Sequence, residues 1–134
     1  MTIQYSVAVR NAQLDAVEST AGTTAKLQLR TGAQPATCAT TASGTLLCEM
    51  TLPSDWLGAA ASGVKSKAGT WSGTGAAAGT VAHFRIVDNA GTTCHMQGSV
   101  TATGGGGDVT VDNTSIAVSQ VVTANTFAIT AGNA

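Results

Sequence analysis

A chain of 134 residues carrying a net charge of −1 is long enough for one domain with a real core. Charged residues make up only 10% of it, against ~25% in ordinary soluble domains, and no cluster of Lys and Arg exists to neutralise nucleic-acid phosphates. No stretch approaches the ~20 apolar residues of a membrane span, so neither nucleic acid nor a membrane is expected as a partner.

Residues 1–10 carry Ile3, Tyr5, Val7 and Val9 at alternate positions. They predict an N-terminal arm or edge strand, followed by a single β-sandwich domain over 11–134. The four residues form an apolar stripe, and an extended arm of this length reaches up to roughly 35 Å, far enough to contact a neighbouring subunit. The start lacks the basic region and long apolar stretch of a signal peptide, so the expectation is synthesis in a cytoplasm. Asn11 is placed to cap a short helix, NAQLDAVEST, whose Leu14, Val17 and Ala21 share one face, with Gly22 at its end.

Ala25 to Thr31 alternates strictly, with Leu27 and Leu29 inward and Lys26, Gln28 and Arg30 outward. Gly32 to Gly44 is a turn-rich connection. Thr45 to Leu52 is the next strand, with Leu46, Cys48, Met50 and Leu52 on one face, and Trp56-Leu57 forms a hydrophobic corner after Pro53. Val64 to Trp71 alternates with Lys65 and Lys67 outward, and the run GTGAAAG beyond it reads as a flexible loop.

Thr80 to Val100 holds the sharpest local signal, two strands around the turn Asp88-Asn89-Ala90-Gly91. Asp at the first position and Gly at the last suit a type I turn with a G1 bulge. Pairing Asp88 with Thr92 sets Ile86 against Cys94 and Phe84 against Met96 on a core face. It also sets Arg85 against His95 and His83 against Gln97 on a wet face. Farther on, the four glycines 104–107 read as a hinge or loop tip, Asp108 to Asp112 as a short strand, and Val118 to Thr130 as one long strand or a pair broken near Asn125. Evenly spaced short strands and a lone helix predict a mainly β, antiparallel sandwich or jelly-roll-like fold.

No constellation for chemistry emerges. His83, Arg85 and His95 would bind an anion or a metal only if a further ligand joined them, and a polar sheet face explains them better. Cys94 and His95 are adjacent and point to opposite faces of a strand, which removes a Cys–His nucleophile. Asp88, Asp108 and Asp112 lack the later Glu of a calcium loop. The glycine run lacks the Lys-Ser/Thr of a phosphate loop. Trp56 and Trp71 are placed as core or interface anchors more readily than as sugar-stacking platforms. No catalytic, cofactor or metal residue is therefore expected, nor an enzyme. The three cysteines, Cys38, Cys48 and Cys94, predict free thiols, with Cys94 in the core and a Cys38–Cys48 bridge as the alternative in oxidising surroundings.

NAQLDAVEST, LQLRTGAQPA, LLCEMTLPSDW, GTW and AHFRIVDNAGTTCHMQGSVTATGGGGDVTVDNTSIA, in that order, resemble a family of small virion structural proteins of tailed bacteriophages. The resemblance covers nearly the whole chain in texture and layout and carries no catalytic signature. It implies a capsid decoration or cement protein on a jelly-roll-like sandwich, located on the capsid surface and made in the bacterial host cytoplasm. Its partners would be the major capsid protein and further copies of itself, as a homo-oligomer. A low-charge, Thr-rich surface fits one that is covered in an assembly. Ile3, Tyr5, Val7 and Val9 are the expected subunit contacts, by strand addition to a neighbour. The alternative is a tail or host-recognition module that binds a receptor or glycan.

Overall fold

The alternating valines near the start belong to a helix. In a computed structural model, which describes residues 3–133, α1 spans Val7–Ala21. The Ser6 hydroxyl accepts a hydrogen bond from the Val9 N–H at 3.2 Å, as an N-cap side chain does. Gly22 ends the helix, its N–H donating to the Glu18 carbonyl at 2.9 Å. Asn11, the expected cap, lies inside α1, where its side chain accepts from the Gly63 N–H at 2.9 Å. The arm expected over 1–10 is thus reduced to a non-helical stretch at 3–6, with Met1 and Thr2 outside the described residues. Val7 and Val9, two positions apart, point about 200° apart around the helix axis and do not share a stripe.

The described residues hold ten strands: β1 (Lys26–Arg30), β2 (Leu46–Thr51), β3 (Val64–Ser66), β4 (Trp71–Thr74), β5 (Gly79–Thr80), β6 (His83–Val87), β7 (Cys94–Ala102), β8 (Val109–Val111), β9 (Ser115–Ile116) and β10 (Val121–Thr130). Neighbours run β2-β1-β6-β7-β8-β10-β3, with β4 also on β10, while β5 and β9 form a small separate ribbon. The registers of β3 and β4 on β10 nearly continue one another, from Thr130↔Val64 to Val121↔Thr74, so the two are halves of one broken strand. The sheet curls until its ends meet. The Ala76 N–H donates to the Leu47 carbonyl at 2.7 Å, and Cys48 and Gly75 form an antiparallel bridge between β2 and the end of β4. The result is the mainly-β, sandwich-like fold with one N-terminal helix that the strand spacing predicts. Its departure from antiparallel pairing is β7–β8, which run parallel.

That parallel pair explains the glycine run. Parallel neighbours ordinarily need a crossover of a dozen or more residues, yet β7 and β8 are joined by residues 103–108 alone. The chain folds straight back along β7. The Gly105 N–H donates to the Ala102 carbonyl and the Gly107 N–H to the Thr101 hydroxyl, both at 2.9 Å. Asp108 then anchors the return, accepting from the Ser99 N–H and hydroxyl at 2.8 Å each. A Cβ on Gly107 would stand 2.8 Å from the Thr101 backbone nitrogen. The run is therefore a tight ordered return, not the hinge expected of it.

Inside the curl, Leu27, Leu29, Cys48, Met50, Ile86, Val109, Val111 and Ala124 are fully buried. A file of aromatic rings runs through them. Trp56 and Trp71 have centroids 6.0 Å apart, Trp71 and Phe127 5.3 Å, and Phe127 meets Phe84 edge-on at 5.9 Å. Asn125 marks a register irregularity in β10, which stays one strand.

Helix α1 docks as much through polar links as through Leu14 and Ala21. The Lys65 ammonium, expected to point outward, is buried on β3 and reaches Asp15 at 2.8 Å and Glu18 at 3.0 Å. Its neighbours Val64 and Ser66 are the exposed ones, so the faces of β3 are opposite to the expectation. The alternation of VKSK carries no information about which face is covered, and α1 covers the lysine side. Burial by itself lowers the Lys65 pKa, but the hydrogen bonds and charges of Asp15 and Glu18 outweigh it and hold the ammonium above the usual lysine range.

Candidate interaction surface

The chemistry-bearing residues of the β6–β7 hairpin are dispersed by its register. The Gly91 N–H donates to the Asp88 carbonyl at 2.9 Å and Gly91 sits at φ +77°, as the turn predicts. The closing pair is Asp88 with Thr93, however, and the ladder runs Val87↔Cys94, Ile86↔Met96, Arg85↔Gln97, Phe84↔Gly98. A bulge leaves His95 unpaired, so the two faces keep their parity from Met96 onward while Cys94 changes sides. The Asp88 carboxylate accepts from the Thr92 N–H at 2.8 Å and the Thr93 N–H at 3.2 Å, and these bonds hold the longer loop. These bonds keep the Asp88 carboxyl below the usual aspartate range.

His83 and Arg85 are not on a wet face, because the connection 31–44 lies over them. His83 Nδ1 bonds the Gly32 carbonyl at 2.9 Å, and Arg85 donates to the carbonyls of Cys38 at 2.7 Å and Thr40 at 3.0 Å. Gln97 Nε2 donates to the Pro35 carbonyl at 2.7 Å. Both His83 and Arg85 are buried. His95 stands apart, half-buried beside Gln13, Val17 and Thr20 of α1. The trio therefore does not assemble. Among the described residues no group of three or more His, Cys, Asp or Glu side chains could hold a metal ion, and no helix is long and apolar enough to cross a membrane. Asp88, Asp108 and Asp112 each serve local bonds, Asp112 accepting from Asn125 Nδ2.

The cysteines also depart from expectation. Cys48 is the buried thiol, on β2, and burial pushes its pKa up. Cys94, expected in the core, lies half-buried beside Cys38 in a surface cleft, its thiol donating to the Met96 carbonyl at 3.3 Å. All three thiols are free.

Exposed large apolar side chains occur at Val118 and Val121 and, in greater number and with the one tyrosine, near the N-terminus. Ile3 is 64% exposed, Tyr5 45%, Val7 49% and Val9 44%. Their backbone is held, not loose. The Tyr5 N–H donates to Asn133 Oδ1 at 2.7 Å, and Asn133 Nδ2 donates back to the Tyr5 carbonyl at 3.2 Å. Arg10 donates to the Ala131 carbonyl at 2.6 Å and to the Ser62 carbonyl at 3.3 Å. The Ala131 N–H donates to the Gly63 carbonyl at 2.9 Å. The start of α1, the end of the chain and the turn before β3 thus form one knot, with half-exposed Val64 on the strand that follows it.

No family model matches the chain, no curated protein matches it, and no solved structure matches it.

Proposed function

We propose that this chain is a virion structural protein of a tailed bacteriophage, a decoration or cement protein that binds neighbouring major capsid protein subunits and copies of itself at the capsid surface. The resemblance of its sequence blocks to that family motivates the reading. The observation that carries it is Tyr5. The chain has two Trp, two Phe and one Tyr. Both Trp and both Phe are locked in the core file. The remaining aromatic stands exposed among Ile3, Val7 and Val9, on backbone tied to the body of the domain. An exposed aromatic with an aliphatic side chain beside it, on backbone already held in place, suits an interface, because little ordering entropy is left to lose on contact.

Contact through side chains of a fixed helix start replaces the strand addition expected of a free arm. The role needs no catalytic group or cofactor, and none is assigned. Trp56 and Trp71 are fully buried and closed to sugars, so a tail or receptor-binding module, the alternative reading, would have to bind through other residues. Co-sedimentation with purified capsids and, separately, with tails tests the proposal. The chain is expected to pellet with capsids, and a Tyr5→Ser/Val9→Ser variant to bind at least about tenfold more weakly while keeping its melting midpoint. Pelleting with tails alone would overturn the capsid assignment in favour of the receptor-binding reading.

A further inference from the structure

The bulge at His95 has turned Cys94 to the side where Cys38 lies, so that both side chains face one cleft. Both line a cleft of about 310 Å³ walled by the connection 31–44 and the β6–β7 hairpin. Neither is mobile in its setting. Arg85 holds the Cys38 backbone through its carbonyl at 2.7 Å, and the Cys94 thiol is aimed by its bond to the Met96 carbonyl. Among the described residues Arg85 is the charged one lining the cleft. Its cation opposes, but does not overcome, the burial and the neighbouring Cys94 thiol that push the Cys38 pKa up. Attack on an oxidant is therefore expected to be slow at neutral pH and faster as pH rises. Cys48 sits in the core on β2 and is excluded.

We propose that Cys38 and Cys94 form a redox-responsive pair that closes to an intramolecular disulfide in oxidising surroundings and locks the 31–44 connection onto the hairpin. The chemistry is thiol–disulfide exchange with a small-molecule disulfide as oxidant. One thiolate attacks the external disulfide and releases one external thiolate. The second protein thiolate then attacks the mixed disulfide, forms the Cys38–Cys94 bond and releases the other. The protein gives up two electrons and two protons, and the oxidant becomes two thiols. The bond would close a long segment of chain spanning β2 to β6, the situation in which a cross-link restricts the unfolded state most. It would also fasten the covering layer that keeps His83 and Arg85 from water.

The reduced full-length protein, incubated folded with oxidised glutathione and then denatured and alkylated, tests this. The expected result is a monomer that has lost two hydrogens, with alkylation only at Cys48 and a raised melting midpoint that returns to its starting value on reduction. The Cys94→Ser variant, whose reduced form should melt near the wild type, should form no internal bridge and show no rise. Stable glutathione adducts on Cys38 and Cys94 without a cross-link, three free thiols, a bridge that includes Cys48, or a disulfide-linked dimer would each overturn the proposal.

Discussion

Gly91 and Gly107 show how one residue type answers to two different constraints. Gly91 has open space where a Cβ would stand but sits at φ +77°. Gly91→Val should therefore cost only backbone strain, roughly 1–3 kcal/mol. At Gly107 the obstacle is the Thr101 backbone, 2.8 Å from an added Cβ, and it cannot rotate away. Gly107→Val should cost at least as much and should also loosen the β7–β8 pairing, because the return loop must move. Chemical denaturation of both variants, with amide exchange at Thr101 and Thr110, checks this; intact exchange protection there in Gly107→Val would contradict the account of the return loop. Lys65 poses an electrostatic question. Lys65→Met leaves Glu18 half-buried without its cation and should cost about 1–3 kcal/mol, measured by the same denaturation. Because the folded pKa of Lys65 is raised, its contribution is complete below the ordinary lysine range and is lost as pH rises through the folded value.

At the scale of elements, the reading from sequence succeeds where a single local rule decides. Strand β1 buries Leu27 and Leu29, Gly22 ends α1, Gly91 takes its positive φ, and Trp56-Leu57 is a buried corner. It fails where a distant segment decides. Nothing local tells that 31–44 covers His83 and Arg85, or that α1 covers Lys65, so outward and inward were exchanged there. The start of α1 was hidden because Ile3, Tyr5, Val7 and Val9 mimic strand alternation, although Ser6 is a better cap than Asn11. The bulge displaces the hairpin register from the one a four-residue turn sets. The loop it needs is held by the Thr92 and Thr93 N–H groups donating to the Asp88 carboxylate, bonds outside such a turn rule. The Asp88 pKa is depressed by those bonds. Its support for the hairpin is present above the ordinary aspartate value of about 3.9 and fades as pH falls through the lower folded value. Protection of the Thr92 and Thr93 amides, taken against the free-peptide exchange rate at the same pH, should fall in that acid range, and Asp88→Ala should show the loss already at neutral pH. Unchanged protection at Thr92 in that variant would remove Asp88 from the account.

The whole molecule is a curled sheet with most of its large apolar side chains inside; those left out are at the N-terminus, at Val64, and at Val118 and Val121 around the start of β10. The sheet has closed on itself through the Ala76–Leu47 bond, and the ends of the chain are knotted at Tyr5, Arg10 and Asn133. Among its described residues no group of three or more His, Cys, Asp or Glu side chains could hold a metal ion, and the N-terminal corner presents Tyr5 on backbone already held. The proposed role follows from that corner, so the direct test is to see where it sits. On the proposed function, electron cryo-microscopy of virions of a phage that encodes this chain should show density for this fold on the outer capsid surface, with Tyr5 and Val9 against a neighbouring subunit. Density for the fold confined to the tail, or on the capsid with the N-terminal corner facing solvent, would contradict the account.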